Sequence, residues 1–392
     1  MRRNLPLTVS AVVALTLLTA CSSGSPKPSA HASPTPSMSH DMGGTNPSSS
    51  VPGTTSTTNI YAAAGANMFS DAVRGQLSLV YVPNHTDGTI SVIDPATYKV
   101  IRTFTSGPGT QHVVPSWDLK TLYGNNTEGG NSLTPIDPYT GRRKGPNIPV
   151  ADPYNMYYTP DGTYAIVVAE ALKRLDFRDP HTYALKFSIQ TPSCAGINHI
   201  DFAADQKSMV ATCEFAGKLV KVDLTTFKVV GTIDVGKMPQ DIKIDPAGEV
   251  YYVADMDAGG VHVIDEKTFT KIGFIPTGPE THGLYASRDA KYLYVANRGG
   301  SAANGSVSVI DFATRKVVAN WAIPGGGTPD MGNVSADGKY FWLSGRRSNV
   351  VYVFDTQAGK LIHKIPVGHE PHGLCVWPQP GRYSLGHTGI TR

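Results

Sequence analysis

The chain has 392 residues, 40% of them hydrophobic and 17% charged, and its 34 Lys and Arg against 31 Asp and Glu leave a net charge of +3. So even a balance gives no electrostatic reason to expect nucleic acid or an acidic membrane surface as a partner, and neither is expected on that ground.

The first element in chain order is a targeting segment. Arg2 and Arg3 precede an apolar run, Leu5–Leu18, too short to be a comfortable membrane span. The run ends in Leu18-Thr19-Ala20-Cys21, which resembles the lipobox of bacterial lipoproteins. That resemblance implies cleavage before Cys21, lipidation of its thiol, and a domain held on the outer face of the cytoplasmic membrane without crossing it. The alternative is an ordinary secretory signal followed by an unrelated cysteine. Residues 1–20 are thus read as the signal and 21–58 as a stalk. The stalk is rich in Ser, Pro and Thr and nearly free of aliphatic residues, so it is expected to be disordered. Met38, His40, Asp41 and Met42 within it could hold Cu(I) weakly, although one such cluster in a low-complexity tract reads as incidental.

From Asn59 the composition becomes globular: a lead-in over 59–76, repeats over 77–381, and a tail over 382–392. A phrase of short alternating β runs returns about every 43 residues, clearest at Leu293–Asp311. In that repeat Tyr292–Ala296, Ser306–Ile310 and Lys316–Ile323 are predicted strands, and a fourth follows around Asp330–Ser335. First strands are predicted near Leu79, Leu122, Ile166, Val210, Tyr251, Leu293 and Phe341. Fourth strands are predicted near His112, Asn155, His199, Asp241, His282, Asp330 and His372. The count predicts an all-β, seven-bladed β-propeller of four-stranded blades. Its ring is closed by the C-terminal strand, which completes the N-terminal blade. Helix is expected only as a turn or two near Tyr61–Arg74.

Tyr81-Val82-Pro83-Asn84, Tyr252-Val253-Ala254-Asp255 and Tyr294-Val295-Ala296-Asn297 resemble the repeat of the bacterial YVTN family of β-propellers, over about Leu77–Gly381. The resemblance implies an exported seven-bladed propeller, distantly similar to the haem d1 domain of cytochrome cd1 nitrite reductase and to surface-layer propellers. It says little about activity, because propellers are generic scaffolds.

Aligning the repeats brings His112, Asn155, His199, Asp241, His282, Asp330 and His372 to one position on the innermost strands, expected to form a ring near one mouth of the channel. His112, His199, Asp241, His282, Asp330 and His372 are the candidate ligands of a divalent transition metal, since imidazole and carboxylate together suit Zn²⁺, Cu²⁺, Mn²⁺ or Fe²⁺. The alternative is architectural: each His caps its strand and lines a water-filled channel. A second ring, expected in loops on the same face, comprises His85, Thr127, Glu170, Glu214, Met256, Arg298 and Arg346. Of these, His85, Glu170, Glu214, Arg298 and Arg346 are candidate ligand-binding residues, either orienting a dipolar ligand or simply facing solvent. Cys194 and Cys213 are expected to form a disulfide, with a Cys/His site at His199 as the alternative; Cys375 is expected to be a buried free thiol.

The sequence therefore predicts a monomeric, membrane-anchored extracytoplasmic propeller. It would bind a small ligand, a metal or an envelope partner protein at the channel mouth. A metal- or cofactor-dependent enzyme, redox or hydrolytic, and a structural envelope protein remain the competing classes. No nucleophile–base pair is assignable from spacing.

Overall fold

The computed structural model describes residues 59–392. The signal, Cys21 and the whole stalk over 21–58 lie outside the described residues. No helix among the described residues is long and apolar enough to cross a membrane.

Seven antiparallel sheets form the blades. Blade 1 draws on both ends of the domain: Leu79–Asn84, Thr89–Asp94 and Lys99–Thr105 are completed on the inner side by Cys375–Trp377. The closing register pairs Leu79 with Trp377, Val80 with Val376 and Tyr81 with Cys375. Blades 2 to 7 each begin at an inner strand: Thr110–Pro115, Pro153–Tyr158, Ile197–Phe202, Pro239–Ile244, Thr281–Ala286 and Pro329–Val334. Four short 3₁₀ turns, at Ala62–Ala64, Asp71–Val73, Glu214–Ala216 and Gly300–Ala302, are the helical elements among the described residues.

Both faces of each blade are buried, so the inner and middle strands are apolar at successive positions, while the strand period still divides them between neighbours. Leu79 and Tyr81 pack with Val113, Leu122 and Ile136 of blade 2. Val80 and Val82 pack with Trp342, Val351 and Val353 of blade 7. Outer strands such as Lys228–Asp234 and Thr270–Pro276 are largely exposed. The repeated Asp that ends the second strand, or in blade 3 follows it as Asp179, builds the next turn. Asp265 Oδ1 accepts the Thr268 N–H at 2.7 Å, and Asp311 Oδ1 accepts the Thr314 N–H at 2.7 Å. The repeat's Asn is structural too: Asn126 Nδ2 donates to Ser132 Oγ at 3.1 Å and Thr134 Oγ1 at 3.0 Å, tying first strand to second.

Residues 382–392 do not trail from the ring. Ser384–Gly386 and Ile390–Thr391 form a small hairpin on the inner edge of blade 3, with Gly386 opposite Tyr157. Gly386 has φ 101°, and a Cβ there would lie 2.4 Å from Met156 O, so glycine is what allows this approach. The hairpin reaches across the channel. Ser384 N–H donates to Trp117 O at 3.0 Å, Asn333 Nδ2 to Thr388 O at 2.7 Å, and Thr388 Oγ1 to Gly332 O at 3.0 Å.

Candidate metal centre

The inner strands are irregular where the ring residues sit. Pairing jumps from Ile197 to Ile200, from Pro239 to Ile242, from Thr281 to Leu284 and from Pro329 to Gly332. Bulges of this kind re-aim side chains, and here they release His199, Asp241, His282 and Asp330 from the alternation. Close packing does the rest: a Cβ on Gly373, next to His372, would meet the His112 ring at 2.1 Å.

The ring lies deeper than the expected position near a mouth, because the hairpin covers it from one side. His112, Asn155, His199, Asp241 and Asp330 are fully buried, and His282 and His372 are 2% exposed. A further imidazole joins them: His387, from the hairpin, is also fully buried. Ring centroids lie 5.7 Å apart for His112 and His199, 6.2 Å for His199 and His282, 5.8 Å for His282 and His372, and 4.8 Å for His372 and His112. His387 lies 4.9 Å from His199 and 5.5 Å from His112.

Two sets of ligand atoms emerge, each within 4.8 Å of one another: His112, His199 and His387, and His282, Asp330 and His372. In the first set each Nδ1 has a partner. His112 Nδ1 donates to Tyr154 O at 2.9 Å. The Asn155 amide Nδ2 lies 3.3 Å from His199 Nδ1 and 2.9 Å from His387 Nδ1. The three Nε2 atoms are buried and have no hydrogen-bond partner among the described residues. Burial pushes His112 down to about 3 and the other four imidazoles well below the usual histidine range. These rings are therefore neutral, the form a metal requires.

Asp241 departs from the ring expectation. Its oxygens accept the N–H groups of Ile242 at 2.9 Å and Leu284 at 2.8 Å, and it belongs to neither ligand set. The carboxylate pins the inner strands of blades 5 and 6 together. Burial pushes it up to about 6, opposed by the Lys243 charge. The Cys/His alternative is closed as well, because Cys194 and Cys213 form a disulfide with Cα atoms 4.8 Å apart. Cys375 is a buried free thiol, and burial pushes it up.

The second ring gathers over one side of the cluster. Arg298 reaches down to it, its Nε 2.7 Å and Nη2 2.6 Å from Asp330 Oδ1. Glu214 accepts Asn198 Nδ2 at 2.8 Å, beside His199, and Arg346 donates to Gln111 Oε1 at 3.3 Å, beside His112. Burial, then the charge of Glu214, pushes Glu170 up to about 8. His85 is held at the rim, 3.2 Å from both Glu128 and Glu370. Thr127 is buried with its hydroxyl on Asp152 Oδ1 at 3.0 Å, and Met256 Sδ lies 3.3 Å from Arg298 Nη1.

His387 was beyond reach of the repeat alignment, since it stands outside every repeat. Its only signal is an isolated His between Gly386 and Gly389.

A family model described as YNCE-like beta-propeller matches residues 55–380. Antigen Lp49 of Leptospira interrogans is 25% identical over 175 residues, covering 41% of this chain. The chain spans 36% of the length of that curated relative. Among solved structures, Kuenenia stuttgartiensis hydrazine synthase has a TM-score of 0.60 at 20% identity, covering 69% of this chain and 90% of that one. The dihydro-heme d1 dehydrogenase NirN has a TM-score of 0.60 at 16% identity, with coverages of 76% and 75%. A putative 6-phosphogluconolactonase from Bacteroides uniformis has a TM-score of 0.61 at 18% identity, with coverages of 76% and 98%. At these identities the likeness is one of fold, and that fold serves both enzymes and binding proteins.

Proposed function

Given that the chain belongs to the YNCE-like β-propeller family, we propose that the propeller serves as a scaffold for a transition-metal ion, held in the channel by His112, His199 and His387. One observation carries the reading: the three imidazoles each bring a ring nitrogen within 4.8 Å of the other two, and each keeps a buried Nε2 with no hydrogen-bond partner among the described residues, the nearest carboxylate oxygen to His387 Nε2 being Asp241 Oδ2 at 3.9 Å. An unpartnered buried polar group costs about 1–3 kcal/mol, so three in one place call for a ligand. Three imidazoles would hold such an ion and leave it able to take a further ligand. Nitrogen ligands of this kind suit zinc, copper, iron or nickel. His112 already presents a free Nε2 lone pair, because its Nδ1–H donates to Tyr154 O. His199 and His387 accept from Asn155 Nδ2 through Nδ1, which leaves their proton on Nε2. With an ion held at Nε2 these two rings would carry their proton on Nδ1 instead, and the Asn155 amide would accept those N–H groups by turning Oδ1 toward them, giving up the Met156 N–H that Oδ1 accepts at 2.8 Å.

The test is elemental analysis of the purified domain from Gly53 onward, beside a variant carrying His112→Ala and His199→Ala. The wild type is expected to hold at least about one ion per chain, and the variant to hold none at this set while keeping its β-sheet circular dichroism. A folded wild type that takes no zinc or copper even after loading would overturn the reading; one water, accepting from two rings and donating to the third, would then satisfy the same atoms.

The proposal places this site outside the cytoplasmic membrane, with the domain tethered through Cys21; the lipobox-like Leu18–Cys21 supports it. Cys21→Ala is expected to move the protein from the membrane fraction to the soluble fraction. Membrane retention of a processed Cys21→Ala chain would refute the anchor.

A further inference from the structure

We propose that the channel holds a second metal ion, bound by His282, Asp330 and His372 beside the first, so that the centre is dinuclear. The inference rests on the reading of His112, His199 and His387 as a metal site.

The second set shows the same signature by different contacts. His282 Nδ1 lies 3.0 Å from Asp330 Oδ1, and His372 Nε2 lies 3.5 Å from Asp330 Oδ2. Yet His282 Nδ1 and Asp330 Oδ2 are both buried without a hydrogen bond. The first distance is short yet the pair makes no hydrogen bond, and the second lies at the outer limit for one. Nitrogen and oxygen atoms that approach without bonding are disposed as ligands around a shared cation. The two sets adjoin, with His372 4.8 Å from His112 and His282 6.2 Å from His199 by ring centroids.

The sites differ in chemistry. The first offers imidazole alone, the second a carboxylate as well, so the second suits zinc, iron or manganese. Arg298 accounts for the orientation of Asp330. Its Nε and Nη2 both engage Oδ1, at 2.7 and 2.6 Å, which fixes the carboxylate and leaves Oδ2 for an ion. Ligating carboxylates are characteristically held in this way. The same guanidinium charge opposes a cation at Oδ2. The second position therefore fills after the first and more weakly.

The experiment uses the full chain, solubilised in mild detergent, loaded with Zn²⁺, dialysed and assayed for bound zinc. The wild type is expected to hold about two ions per chain, and Asp330→Asn and His282→Ala about one. Having two such variants guards against one that fails to fold. A wild type holding one ion, unchanged by Asp330→Asn and His282→Ala, would overturn the second site and leave the first intact. A wild type holding no ion would overturn both readings.

Discussion

Deleting His372–Arg392 is expected to unfold the whole propeller rather than trim one blade. The deletion removes the inner strand of blade 1, so Leu79, Val80 and Tyr81 lose their register partners Trp377, Val376 and Cys375. It also damages both interfaces of that blade. Cys375 and Trp377 pack toward blade 2, and Leu374 and Val376 toward blade 7. Burying an apolar side chain contributes about 1.5–3 kcal/mol, so these four together contribute on the order of 6–12 kcal/mol. That is comparable to the whole stability of an ordinary domain, about 5–15 kcal/mol. The Leu79–Asn84 strand would also be left as a bare apolar edge, a template for aggregation. Deleting only residues 382–392 is the control. It spares the closing strand, so the ring is expected to stay folded with a lower melting temperature, while losing His387 and the metal it helps to hold. Circular dichroism and thermal melting report both outcomes. A cooperatively melting, monomeric product of the larger deletion would refute the closure.

The second large effect is expected where the hairpin is fastened. Asp201 is fully buried; it accepts the Phe202 N–H at 2.8 Å, the Ile244 N–H at 2.9 Å and Arg392 Nη2 at 3.1 Å. The Arg392 guanidinium lies 4.6 Å from the Tyr61 ring centroid and ties the lead-in segment to the same point. Removing one partner of a buried ion pair leaves an uncompensated charge and typically costs about 3–5 kcal/mol. Arg392→Ala is expected near the lower end, about 3 kcal/mol, because Asp201 keeps two backbone N–H bonds. Arg392→Leu combined with Asp201→Asn is expected to cost less than Arg392→Ala alone, since no bare charge remains. Denaturant melts of wild type, Arg392→Ala and the double variant show whether the bare charge is what destabilises. A loss below about 1 kcal/mol in Arg392→Ala would show that the pair does not secure the hairpin. Loosening it is also expected to weaken metal binding, because His387 is carried by the same hairpin.

Much of this was legible in the sequence because it is local and repeated. Period-2 alternation and the Asp that builds each hairpin turn recur about every 43 residues, and in three repeats Asn84, Asn126 and Asn297 tie first strand to second. Seven copies, with a fourth strand left over at the C-terminal end and a blade lacking one at the N-terminal end, already specify a closed ring. The same alignment finds His112, His199, His282 and His372 together, since equal positions in equal blades must face one axis. The Cys194–Cys213 bond was within reach too, being only 19 residues apart across a single hairpin.

The contents of the channel were not legible in that way. Asp241 occupies a ring position by alignment, yet the Leu284 N–H of the next blade captures its carboxylate, and that depends on how two bulged strands settle against each other. His387 meets Asn155 across 232 residues of sequence, and Arg392 meets Asp201 across 191. Both belong to a segment that no repeat predicts. Periodicity encodes only what every blade does alike. The blades alone make a ring with an open centre; what fills that centre is decided by the packing of a non-repeating segment on repeating ones, and only the tertiary structure brings those atoms together.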